Sequence, residues 1–115
     1  MAGFYVFPGG VVDPADEDTA FWWRYIDLHP GELNTRLGGA LLTAQALLPY
    51  AVAAIRETLE EAGVLLAAPA TQPALAPAYL EDLRARAGGR PDFLNDAARC
   101  DKLRLSLSGL RRWSH

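Results

Sequence analysis

The chain has 115 residues, half of them hydrophobic, with a net charge of −3 at neutral pH and a pI near 5.2. This length predicts one small domain over residues 1–115, and the acidic balance argues against a nucleic-acid partner bound through a basic surface. A single cysteine, Cys100, excludes an internal disulfide framework and fits the cytoplasm, and no run reaches the ~18 apolar residues of a membrane span.

The N-terminal part of the chain predicts a strand, a glycine-containing loop and a short helix. Residues 3 to 7 are β-prone, and residues 8 to 18 combine glycine with acidic turn residues, which predicts a loop. Asp18 or Thr19 is suited to cap a short helix rich in aromatic residues. The run His29-Pro30-Gly31 predicts the end of that helix.

Two further helices are predicted before the middle of the chain, with a proline between them. An Ala/Leu-rich helix is expected from Glu32 to Leu48, weakened by the Gly38-Gly39 pair. Pro49 should end it, because proline lacks a backbone N–H, and proline is tolerated in the first turn of a following helix. That following helix is expected at residues 50 to 62.

Short strands and helices are predicted to alternate in the rest of the chain. Residues 64 to 66 predict a short buried strand, and the Pro-rich residues 67 to 77 predict a loop. Helices are expected at residues 78 to 87 and about 91 to 99. Leucine alternates with polar residues from 103 to 107, which is the period of a half-buried strand.

The helix predicted at residues 50 to 62 has an acidic side and an apolar side. Glu57, Glu60 and Glu61 have the i, i+3, i+4 spacing that brings side chains together on a helix surface. Like charges this close repel, so a bound cation would explain them, and a solvated acidic face is the alternative. Gly63 is suited to end the helix in the left-handed conformation. The apolar side carries Val52, Ile55, Leu59 and Ala62.

Arg56 lies between these two sides, and two partners are open to it. Asp16 follows the loop that begins with Phe7-Pro8-Gly9-Gly10, and a guanidinium suits a bidentate pair with its carboxylate. We favour this pair. Glu60, at i+4 on the helix surface, is the alternative partner.

The segments around these residues resemble the Nudix box, the signature of hydrolases that cleave nucleoside diphosphates linked to another moiety. Gly10, the acid at Asp16, and the run Arg-Glu-Thr-Leu-Glu-Glu-Ala-Gly-Val at residues 56–64 carry the resemblance. The family has Glu where this chain has Asp16, and its short gap is replaced here by residues 17 to 55. A long insertion is similar to the branch that includes the peroxisomal coenzyme A diphosphatases.

The resemblance implies an α/β fold, with an α/β/α sandwich around a mixed sheet. Residues 17–49 would form a helical insertion between the glycine loop and the catalytic helix. In the family, strands precede the glycine loop, and further strands and a helix follow a segment like residues 110–115. The resemblance therefore also implies a partial domain that is truncated at both ends.

The resemblance further implies a metal-dependent hydrolase that cleaves a diphosphate linkage. Mg²⁺ or Mn²⁺ would bind Glu57 and Glu61, with Glu60 as a further ligand or as the group that orients water, and the backbone carbonyl of Gly9 would add a ligand. Glu57, Glu60 and Arg56 form the implied catalytic set. The implied substrate is a small molecule of the nucleoside-diphosphate type, with coenzyme A or acyl-coenzyme A suggested by the insertion. An inactive Nudix-like binding or interaction module is the alternative, and a homo-oligomer is also open.

Overall fold

The computed structural model describes residues 4–6, 12–37, 43–69, 77–88, 90, 92–107 and 110–112. Within them the chain is mostly helical, with short strands, and no described helix is long and apolar enough to cross a membrane. A 3-10 helix at Pro14–Glu17, called the 3-10 turn below, precedes the first α-helix. The other elements are β1 (Phe4–Val6), α1 (Thr19–Trp22), α2 (Pro30–Leu37), α3 (Ala44–Ala62), β2 (Ala67–Pro69), α4 (Pro77–Arg86), α5 (Phe93–Asp101), β3 (Leu103–Leu105) and β4 (Leu110–Arg112).

The described strands form two separate pairs. β1 and β4 are parallel, with Phe4 opposite Leu110, whereas β2 and β3 are antiparallel, with Ala67 opposite Leu105. Ile26 adds an isolated parallel bridge to Leu105. The described strands do not join into one mixed sheet, so the predicted α/β/α sandwich stays a prediction for this mostly helical chain.

Helix α3 forms the centre of the hydrophobic core. Its predicted apolar side is confirmed at Val52, Ile55 and Leu59, which are fully buried, but Ala62 in the last turn is exposed. Burial of side chains of this size stabilises the fold by about 1.5–3 kcal/mol each. The larger core residues packed with this side include Trp22, Ile26, Leu33, Leu83, Phe93, Leu94, Leu103, Leu105 and Leu107.

The predicted break at Pro49 is wrong, because Pro49 lies inside α3. Thr43 caps this helix, since its Oγ1 accepts a hydrogen bond from the backbone N–H of Ala46 at 3.1 Å. Pro49 stands little more than one turn from the start, where it removes a single i→i−4 bond. Leu48 before it and Ala51 after it are fully buried, so packing holds the helix together across the proline.

Two other boundaries differ from the sequence predictions. Pro30 begins α2 instead of belonging to a break, as its fixed φ suits the first helical position. The strand expected at residues 64 to 66 forms at Ala67–Pro69 instead, and Val64 is exposed. Its position is set by β3 and the residue that follows, because Ser106 donates a backbone hydrogen bond to the Leu66 carbonyl at 2.7 Å.

Candidate functional site

Arg56 lies at the centre of the candidate site, buried between α3 and the 3-10 turn. Its Nε donates to both carboxylate oxygens of Asp16, at 3.2 and 3.3 Å, and its Nη2 donates to Oδ2 at 3.0 Å. Nη1 donates to Oε1 of Glu60 at 2.9 Å, and Nη2 also lies 3.2 Å from an oxygen of Asp13. The predicted Arg56–Asp16 pair is therefore present, and the alternative pair with Glu60 is present at the same time.

The guanidinium of Arg56 is well suited to this central position. Its fork of five donors can serve several carboxylates at once. Burial alone would lower the pKa of Arg56, but the hydrogen bond and charge of Asp16 and the charges of Glu60 and Asp13 outweigh burial and raise it. The arginine therefore stays charged, and the negative charges of its three partners exceed its single positive charge.

Asp16 is held by its own turn as well as by Arg56. Its Oδ2 accepts a hydrogen bond from the backbone N–H of Asp13 at 3.0 Å, as in a capping box. Only 2% of the Asp16 side chain is exposed. A buried charge of this kind needs a partner, so Asp16 and Arg56 depend on each other.

The acidic side of α3 remains open beside this cluster. Glu57 and Glu60 are half-buried and Glu61 is exposed. Burial raises the pKa of Glu57, and the nearby charges of Glu61, Glu60 and Asp16 raise it further against the opposing effect of Arg56. The folded protein thus disfavours the negative charge on Glu57, mainly because burial removes water from the carboxylate.

The carboxylates suit a hard divalent cation, but they do not form a ready-made cage. Within the part of the chain that the structure describes, no three His, Cys, Asp or Glu side chains are grouped to hold a metal. Glu60 is drawn to Arg56, whereas Glu57 and Glu61 make no hydrogen bond or ion pair with any described residue. Mg²⁺ commonly binds one or two carboxylates and keeps several waters, so these two glutamates fit that mode. The predicted fourth ligand, Gly9, lies outside the described residues.

The C-terminal end of α3 is finished as the sequence predicted. Gly63 has φ 73° and ends the helix in the left-handed conformation, with its N–H bonded to the Leu59 carbonyl at 2.9 Å. Arg84 of α4 packs against Gly63 and donates from Nη2 to the Glu60 carbonyl at 3.1 Å. An open groove of about 530 Å³ borders Glu60 and Arg84 here.

Two residues that support the site were not found from the sequence. The indole Nε1 of Trp22 and the side-chain Nδ2 of Asn95 both donate to the Ala15 carbonyl, each at 3.1 Å. Asn95 is 80 residues from Ala15, and its partner is a backbone oxygen that any residue type carries. No sequence signal could therefore have found this contact.

Comparison with known proteins does not identify the chain. No known family model matches it, and no solved structure matches it.

Proposed function

We propose that this protein is a Nudix-type hydrolase that uses a divalent cation to cleave a diphosphate linkage in a small nucleotide-containing molecule. We also propose that it has the α/β/α sandwich fold of that family. One observation carries most of the weight. Buried Arg56 of the helix that carries the box-like motif contacts both Glu60 of the same helix and buried Asp16, the acid that follows Gly10 in the sequence. The Glu60 contact is an ordinary i+4 pair, but a chance likeness between two short motifs gives no reason for the acid of one to contact the arginine of the other.

Each residue then has a distinct task in the proposed reaction. Glu57 and Glu61 would hold Mg²⁺ or Mn²⁺, which supplies charge neutralisation for the diphosphate and an acidified water. Glu60 belongs to the acidic side of α3 and also contacts Arg56. It would orient the attacking water beside the cation. Arg56 fixes Glu60 and the 3-10 turn, so it organises the site. Coenzyme A and acyl-coenzyme A are the first substrates to test, because the insertion at residues 17–49 suggests that branch of the family.

The alternative is a Nudix-like module that binds a ligand without hydrolysing it. The 2.9 Å hydrogen bond from Arg56 to Glu60 favours this alternative, because it occupies one of the three glutamate carboxylates that the proposed reaction uses. A module of this kind would still bind a cation and a diphosphate. Turnover therefore separates the two functions, whereas binding alone does not.

The test combines metal binding with hydrolysis on the 115-residue chain. Mn²⁺ should raise the melting temperature by mass action, and phosphate-containing products should appear from coenzyme A or a nucleoside-diphosphate sugar. Glu61→Gln should weaken both effects, whereas Glu32→Gln on α2 should change neither. Glu32 is exposed, and glutamine can still accept its hydrogen bond from the His29 N–H. If Mn²⁺ has no effect on melting and no diphosphate is cleaved, the proposal fails; melting shifts without turnover favour the binding module.

A further inference from the structure

The peptide unit between Ala15 and Asp16 is held from both of its sides. Its carbonyl oxygen accepts hydrogen bonds from Trp22 Nε1 and Asn95 Nδ2, each at 3.1 Å. Its N–H donates to the Asp13 carbonyl at 2.9 Å. A carbonyl oxygen has two lone pairs, so two side chains from different helices saturate this one.

These contacts determine the position of the Asp16 Cα, from which the side chain extends. A peptide unit is planar, so contacts at its oxygen and at its nitrogen together set the orientation of the whole plane. The Cα of Asp16 belongs to that plane. Its carboxylate then reaches Arg56 through three hydrogen bonds of 3.0–3.3 Å.

Asn95 is an unusual choice for its position if it served packing alone. The residue is 9% exposed, and its neighbours Leu94 and Ala97 on α5 are almost fully buried. Its Oδ1 is buried without a hydrogen-bond partner among the described residues. A buried acceptor without a partner is unfavourable. Turning the amide around would place Oδ1 against the Ala15 carbonyl, so the observed orientation serves the donor contact with Ala15.

We infer that Asn95, together with Trp22, is a positioning residue for the candidate site. It fixes the 3-10 turn so that Asp16 holds Arg56, and Arg56 in turn holds Glu60. The effect on hydrolysis rests on the proposed function. The effect on Arg56 does not, because it follows from the contacts alone.

The test is the hydrogen exchange of the Arg56 Nε–H, followed by NMR in Asn95→Leu. Leucine has a similar size but offers no donor, so the turn should loosen and this exchange should accelerate by about five- to tenfold relative to the Leu59 amide in the same helix. Tyr79→Phe is the matched control. It removes the 2.9 Å hydrogen bond from Tyr79 to Asp101, another contact of α5, but does not touch the turn.

An unchanged exchange ratio in Asn95→Leu would overturn the inference, and so would an equal acceleration in Tyr79→Phe. Should Asn95→Leu fail to fold, Trp22→Phe removes the other donor and decides the question by the same ratio, expected to rise about threefold to fivefold. In an active protein, Asn95→Leu should lower kcat with KM almost unchanged. If no variant hydrolyses a diphosphate but the Arg56 exchange responds, the positioning role stands and the proposed function is what fails.

Discussion

Replacing Arg56 with methionine removes the cationic partner of the buried Asp16 carboxylate. The side chain of Arg56 is 6% exposed and that of Asp16 is 2% exposed, so the Asp16 carboxylate would lose its counter-charge without gaining water. Removing one partner of a buried ion pair costs about 3–5 kcal/mol. Small domains are stable by only about 5–15 kcal/mol, and we therefore expect Arg56→Met to lose a large part of the folding free energy.

Lysine at position 56 separates the contribution of charge from that of geometry. An ammonium group can approach Asp16 but cannot reproduce the bonds from Nε and Nη2 to the same carboxylate while also reaching Glu60. Loss of one or two charge-assisted hydrogen bonds should cost about 1.5–3 kcal/mol. Arg56→Lys should therefore be intermediate between the natural protein and Arg56→Met.

Urea unfolding monitored by tryptophan fluorescence, to which the buried Trp22 contributes, measures both losses, and the m value should stay constant if the comparison is valid. Arg86→Met is the matched control. Arg86 also pairs with two acids, Asp82 and Asp101, but its side chain is 41% exposed. Exposed pairs contribute about 0–1 kcal/mol, so this variant should lose no more than that.

A double-mutant cycle identifies the partner. Asp16→Asn should partly rescue Arg56→Met, with a coupling energy of about 1–3 kcal/mol, because the amide no longer carries a buried charge. The rescue is partial, since Asp13 and Glu60 keep their charges. An Arg56→Met loss as small as that of Arg86→Met, or additive losses in the cycle, would refute the buried cluster.

Two further predictions concern α3 and its end, and a third, at Gly31 in α2, gives a comparison for the second. Glu57 has a raised pKa in the folded protein, so folding favours its neutral form. This contribution to stability is complete below the unfolded pKa, roughly pH 4, and is lost as the pH rises through the folded pKa. Glu57→Gln, which stays neutral, should therefore melt higher than the natural protein at pH 7 without metal, and the difference should vanish in acid. Gly63→Ala should cost about 1–2 kcal/mol in urea unfolding, because φ is 73° and the new Cβ would lie 3.0 Å from Arg84 Nη1. Gly31→Ala, in a helix and with nothing within 4 Å, should instead stabilise by about 0.5–1 kcal/mol.

Local signals in the sequence predicted several elements correctly. Gly63 ends α3 as expected, because a residue without Cβ adopts the left-handed conformation easily. Strand β3 has buried Leu103 and Leu105 on either side of exposed Arg104, which is the predicted alternation. These features depend on neighbouring residues, and the sequence records neighbours directly.

Features that depend on distant packing were predicted less well. Pro49 is unfavourable inside a helix by its own chemistry, and only the buried contacts of α3 explain its place there. The displacement of β2 to Ala67–Pro69 likewise follows from its pairing with β3. The contact of Asn95 with Ala15 joins residues 80 positions apart through a backbone oxygen, so residue identity carries no information about it.

Arg56 lies between these two cases. The sequence predicted that Arg56 pairs with either Asp16 or Glu60. The guanidinium makes both contacts because its Nη1 faces along the helix to Glu60 while Nε and Nη2 face the 3-10 turn. The correct answer required the direction of each donor, which residue spacing does not contain.

Arg56 and a bound cation would compete for the carboxylate of Glu60. Arg56 holds its carboxylate at 2.9 Å, whereas a cation on the acidic side of α3 would attract the same group. If Glu60 leaves Arg56, Asp16 and Asp13 still contact the guanidinium, and water can reach the Glu60 side chain, which is 32% exposed. Glu57 and Glu61 have no such competing partner among the described residues. If the proposed cation binds, it would therefore be held first by these two glutamates, and Glu60 could alternate between Arg56 and a water molecule.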